Sequence, residues 1–170
     1  LVYTLKSEGY ASQCVYSLSS QNRIYQFSYS AEGYLTGIVE NIDDTEYSST
    51  SLTYENGDIT SISSKMNGLE NKFIYEPGEE SSTYHLPCLG LLEIHPLTFH
   101  IEALYAGLLG KDPRHFTMHS CPAGSNDEKT VYSYGFDKKG NPSRMICQTT
   151  YAGGQASYYP YTRNISISFE

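Results

Sequence analysis

Tryptophan is absent from the 170 residues, and basic side chains are scarce. Lys and Arg number 11 against 19 Asp and Glu, a net charge of −8. A nucleic acid or an anionic membrane surface would meet repulsion rather than the basic footprint that phosphate binding needs. No apolar run reaches about 18 residues, so no transmembrane helix is expected. Catalytic signatures are also missing. There is no Gly-x-Ser-x-Gly elbow for a nucleophile. Gly107-Leu108-Leu109-Gly110-Lys111 lacks the glycine spacing and the Ser or Thr of a phosphate loop. The paired acids Asp43/Asp44 and Glu79/Glu80 sit in turn sequences, where carboxylates are solvated rather than aimed into one cleft. The sequence therefore predicts a protein that is not an enzyme, with no catalytic residue, no metal and no cofactor.

What is present is tyrosine, 17 residues of it. Tyr, Thr, Val and Ile suit a half-buried pleated surface, so the composition points to an all-β protein. In Arg23–Ser30, Tyr25, Phe27 and Tyr29 alternate with Gln26 and Ser28. A turn ending in Gly33 follows, then Leu35 and Ile38. These two are three apart and share a face only across a bulge near Thr36–Gly37. The pattern returns at Leu52, Tyr54, Gly57, Ile59 and Ile62, and again at Tyr132, Tyr134, Phe136, Gly140, Pro142 and Met145. Asn56-Gly57 is the strongest hairpin signal. A weaker unit, Leu69–Tyr75, is expected to end in a Pro77-Gly78 turn. Short strands at Val2–Leu5 and Ser12–Leu18 precede the repeats, and Arg163–Phe169 closes the chain.

Residues 84–124 interrupt the pattern and hold all five histidines. Ile101, Leu104, Tyr105, Leu108 and Leu109 fall on one helical stripe. Thr98 is the N-cap expected for a helix over about Phe99–Leu109, and Gly110 the residue that ends it. Gly107 then lies inside the helix at a cost of about 1 kcal/mol. The fold expected is all-β: an antiparallel hairpin meander curled into a barrel-like sheet. One domain spans 1–170, with one helix near 98–110 in a helical insertion over about 84–124. The aromatic face of each strand is expected to turn inward, to a soluble core rather than to lipid.

Four cysteines, Cys14, Cys88, Cys121 and Cys147, allow either two disulfides or four buried thiols. Cys88–Cys121, which brackets the insertion, is the first pairing to test. His115 and His119 are four apart, with Cys121 next; on a helix they would share a metal. The intervening Phe116-Thr117-Met118 lacks the Glu base of a zinc hydrolase, so that activity is only an alternative. Glu93, His95 and His100 would add ligands only if the fold gathered them. Most tyrosines are expected to pack; Tyr151, Tyr158, Tyr159 and Tyr161 form the cluster expected to be exposed.

The aromatic-x-aromatic, Gly-x-Leu-x-x-Ile grammar resembles the tyrosine–aspartate repeats of large bacterial surface proteins. The Tyr-Asp dipeptide is replaced by Tyr29-Ser30, Tyr54-Glu55 and Tyr75-Glu76, and only Phe136-Asp137 keeps the Asp. Over about residues 23–147 the chain resembles more fully a family of single-domain Bacteroidetes envelope proteins of unknown function with a porin-like β-fold. Leu109-Gly110-Lys111 and the hairpin from Phe136 to Pro142 carry that likeness. It implies an exported, lipoprotein-like domain at the periplasm or outer-membrane surface, anchored through a Cys upstream of Leu1. The function expected is an envelope-exposed binding or interaction module with a glycan or protein partner. The alternative is a structural surface domain without a ligand.

Overall fold

Tight turns fold the chain back on itself strand after strand. The computed structural model describes residues 1–18, 21–81, 101–125, 127–139, 142–151 and 161–166. Within them run β1 (Val2–Leu5), β2 (Ala11–Leu18), β3 (Gln21–Tyr29), β4 (Leu35–Ile42), β5 (Thr45–Glu55) and β6 (Asp58–Met66). Then come β7 (Leu69–Ser81), α1 (Ile101–Tyr105), β8 (His115–Pro122), β9 (Glu128–Phe136), β10 (Pro142–Tyr151) and β11 (Tyr161–Ser166). The strands form one antiparallel sheet of 11 whose spatial order is the chain order. The all-β meander expected from the repeat is the fold observed.

Closure is not. Among the described residues no pairing joins β1 to β11, so the barrel-like sheet expected from the sequence is an open one. A barrel needs its first and last strands to ladder together. Here β1 is a four-residue edge whose register slips between Thr4 and Leu5. Such a short, irregular edge suits termination rather than pairing.

The turns follow their residues. Asp43-Asp44, Asn56-Gly57 and Asn67-Gly68 all have positive φ at both central positions, the geometry of the tight hairpin turn. Ser28 pairs with Gly37 but Tyr29 with Leu35, which leaves Thr36 as the bulged residue and puts Leu35 and Ile38 on one face. Pro77-Gly78 behaves differently from expectation. It is no turn but a bulge within β7, where the register against β8 shifts on both sides of Pro77. Proline lacks the N–H that a regular ladder would use there.

Inward-facing side chains form the core. Tyr25, Phe27, Leu35, Ile38, Leu52, Ile59, Ile62 and Tyr75 are buried together with Ala103, Leu104 and Leu109. Phe116, Tyr132, Met145 and Cys147 make a second cluster on β8–β10. The opposite side of the sheet presents exposed Gln26, Ser28, Ser51, Thr53, Lys65, Lys72 and Glu76. Ile24, Val39, Ile74, Val131 and Ile146 share that side, so it is a mixed face without the continuous apolar band of a lipid-facing barrel wall. No described helix is long and apolar enough to cross a membrane.

The inward face is not all apolar. Glu40 is 4% exposed and sits between strands. Arg23 donates to its Oε1 at 2.9 Å, the Tyr25 hydroxyl at 3.0 Å, and the Ser48 hydroxyl to Oε2 at 3.0 Å. Burial, reinforced by the Glu40 charge, pushes the Tyr25 hydroxyl up to about 12.

The helix is shorter than its stripe suggested. Within the described residues α1 stops at Tyr105, and Thr98 lies outside them. Gly107, with φ +70°, is its cap rather than an interior residue. Gly107 N–H bonds to the Leu104 carbonyl at 3.2 Å and Leu108 N–H to the Ala103 carbonyl at 2.9 Å. That paired pattern satisfies the last carbonyls and ends the helix at Tyr105, four positions before Leu109. Leu109 is buried all the same, carried into the core by the strap that follows. The helical insertion, expected over about 84–124, also gives way by His115, where β8 begins.

Candidate functional site

The strap after α1 builds the site. Residues 108–115 run across the turn end of the sheet and bond to each turn they pass. Ala11 N–H donates to the Leu108 carbonyl at 2.7 Å. Lys111 N–H donates to the Gly33 carbonyl at 2.9 Å, and Arg114 N–H to the Gly57 carbonyl at 3.0 Å. Buried Asp58 then takes the His115 N–H at 2.7 Å and faces His115 Nδ1 at 2.8 Å. The strap closes one end of the sheet, as an amphipathic insertion should.

Two glycines make this contact possible. Gly110 has φ +92°, and a Cβ there would lie 2.8 Å from the Gly33 carbonyl oxygen. Gly57 has φ +88°, and a Cβ there would meet the Tyr34 hydroxyl at 2.7 Å. Only glycine accepts both the left-handed backbone and the closeness.

Between the strap and the β3–β4 and β5–β6 turns lies an open cleft of about 680 Å³. That volume falls within the about 300–1,000 Å³ of small-ligand sites. Its aromatic wall is Tyr34 stacked on Tyr54, centroids 4.9 Å apart with planes at 29°. Both rings are half-buried. Lys111 Nζ stands 6.0 Å from the Tyr34 centroid, at the limit of a cation–π contact. Arg114 lines the same cleft and is exposed. Ser30, Thr36 and Thr53 add hydroxyls, and Glu32 a carboxylate. The Glu32 carboxyl is held below the usual range by its own backbone N–H and by the Ser30 hydroxyl, with Lys111 a weaker influence. Beside the cleft, Tyr29 donates to the Ala11 carbonyl at 2.6 Å, stacks on Tyr10 at 5.4 Å and carries Lys6 over its ring. An aromatic wall, hydroxyls and two cations can hold a ligand; they supply no nucleophile held by a base.

His115 and His119 are not brought together. Both lie on β8, a strand and not a helix, where four residues span about 13 Å. His115 faces Asp58, and His119 Nδ1 faces Glu76 at 3.2 Å. Among the described residues no group of three His, Cys, Asp or Glu is placed to hold a metal. The His115–Asp58 pair is a base oriented by an acid, but no described hydroxyl or thiol bonds to that ring. His119 and Cys121 border a smaller pocket of about 190 Å³ on the outward face with Glu76 and Lys129. Cys14 and Cys121 are free thiols. Cys88, Glu93, His95, His100, Tyr158 and Tyr159 lie outside the described residues. Tyr151 closes β10 and Tyr161 opens β11.

The chain finds a match among known families. The family described as a domain of unknown function (DUF4595) with porin-like fold matches residues 1–144. The chain belongs to this family. The crystal structure of a porin-like protein from Bacteroides uniformis is similar over 99% of this chain and 68% of that one. The identity is 27% and the TM-score 0.84. Among curated proteins, none matches significantly. In this DUF4595 domain the strands run as one antiparallel meander in chain order.

Sequence reasoning missed the cleft. Tyr34 and Tyr54 belong to the repeat and read as packing residues, while Arg114 carried no motif. The available signal was the coincidence of Gly33, Gly57 and Gly110, three glycines that a turn-crossing strap would need.

Proposed function

We propose that this domain is an envelope-exposed binding module, that its ligand site is the Tyr34–Tyr54 cleft and that the ligand is a glycan. The observation that carries this is the stacked tyrosine wall in an open cleft framed by hydroxyls. A sugar ring packs its C–H face on an aromatic ring while its hydroxyls bond to Ser, Thr and Asn side chains. A peptide partner recruited by strand addition would need an unpaired sheet edge. β3, β4, β5 and β6, which frame the cleft, are each paired on both sides. The protein acts by binding and not by catalysis. Extracytoplasmic placement, at the periplasm or outer-membrane surface with a lipid anchor upstream of this segment, belongs to the same proposal. Its support is the Bacteroides structural neighbour.

A glycan array probed with the purified chain tests the assignment, with Tyr34→Ala as the paired variant. Tyr34 lines the cleft without belonging to the buried core, so its truncation should spare the fold. Binding of at least one glycan, weakened about tenfold or more by Tyr34→Ala, is expected. A chain that binds no glycan would instead serve as a structural surface domain.

A further inference from the structure

We infer that the ligand of this cleft is an acidic saccharide whose carboxylate sits between Lys111 and Arg114. The inference rests on the glycan-binding reading above and narrows it. A molecule of net charge −8 should favour a neutral or cationic partner if its average field decided the matter. At physiological salt, charges beyond about 8 Å are largely screened, so the groups at the cleft decide instead.

Those groups are two exposed cations held by their backbone. Lys111 and Arg114 stand three positions apart on the strap, and each is anchored by its own N–H to a different turn carbonyl. The main chain that carries them is therefore fixed against the two turns, and both side chains line the cleft from there. Neither is in an ion pair with a described carboxylate. Glu32 is the acid lining the cleft. It is engaged first by its own N–H and by Ser30, and only weakly by Lys111. Lys111 also stands over the Tyr34 ring, so the ammonium and the aromatic wall face the ligand together. A pyranose on Tyr34 would bring a ring carboxylate within reach of that ammonium. The Arg114 guanidinium would supply the second, forked contact that carboxylates favour.

The test uses the full chain and calorimetric titration. The probes are uronate oligosaccharides (oligogalacturonate, hyaluronan and chondroitin fragments), each beside its carboxyl-reduced counterpart. At least one acidic probe should bind about tenfold or more tighter than its reduced form. Affinity should drop as salt rises from about 0.05 M to about 0.5 M. The double variant Lys111→Gln/Arg114→Gln should lose about tenfold or more, while Lys138→Gln changes nothing. Circular dichroism and the unfolding midpoint confirm that the double variant folds. Equal affinity for acidic and reduced probes, or an unmoved double variant, overturns the inference. If a neutral glycan binds and depends on Tyr34, the acidic assignment falls and the glycan module stands. If no glycan of any kind binds, both fall together.

Discussion

Gly110 shows how much a single residue can decide. Its φ of +92° and the Gly33 carbonyl 2.8 Å from a virtual Cβ act together. Gly9 has a similar φ of +86° but nothing within 4 Å. Gly9→Ala should therefore cost about 1–2 kcal/mol, the left-handed backbone alone. Gly110→Ala should cost about 3 kcal/mol or more, because the strap must also move off Gly33. Urea midpoints of the two variants compare the costs directly. Glu40 is the matching polar case. Its removal in Glu40→Ala leaves Arg23, Tyr25 and Ser48 without their shared acceptor, and a loss of about 3–5 kcal/mol is expected in the same assay. Tyr25 adds a pH dependence. Its folded value of about 12 lies above the ordinary 10, so the native state keeps a proton that the unfolded chain releases. Stability is intact below pH 10 and falls as pH rises from 10 toward 12. Burial raises Tyr3 and Tyr29 as well, which deepens the loss at the alkaline end. Unfolding free energy measured across that window should fall less steeply in Tyr25→Phe.

At the scale of elements, the strap is the part whose loss would tell most. Asp58 ties it to the β5–β6 turn through both the backbone and the ring of His115. Asp58→Ala should cost about 2–3 kcal/mol. It should also raise hydrogen exchange at the Arg114 and His115 amides more than at Tyr25 or Ile38. Uniform acceleration over all amides would mean that the strap is not a separate unit. The hairpins were legible in the sequence because each rests on contacts between near neighbours. Alternation, Asn-Gly and the Thr36 bulge are local facts. The end of α1 was misplaced for the opposite reason. The apolar stripe continues through Leu109, but Leu108 and Leu109 reach the core from a capped, non-helical strap. Periodicity records burial and cannot tell which backbone delivers it. Pro77-Gly78 misled likewise: a bulge and a turn ask for the same residues.

For the whole molecule, the direction of the faces sets the relation to membranes. Most strand aromatics point inward, and the outward side mixes Ser, Thr, Lys and Glu with single apolar residues such as Ile24, Val39 and Ile74, so no described strand presents a continuous apolar wall to lipid. The purified chain should neither float with protein-free vesicles nor open conductance in a planar bilayer. Stable channels in that assay would mean the sheet can rearrange its faces. β8 and β9 pair at only two positions, His119–Val131 and Ser120–Thr130. Beyond them Phe116 and Tyr134 stack at 4.7 Å, and the Tyr134 hydroxyl bonds to the Thr117 carbonyl at 2.7 Å. Side chains thus take over where the ladder ends, within the second core cluster.

By itself the sequence determined the meander, its turns and which side chains face inward, since period-two burial and turn chemistry act over a few residues. The tertiary structure alone decided that the sheet stays open, that His115 and His119 part company, and that Tyr34, Tyr54, Lys111 and Arg114 share a cleft. Each of these depends on residues tens of positions apart meeting in space, and no local pattern encodes that meeting.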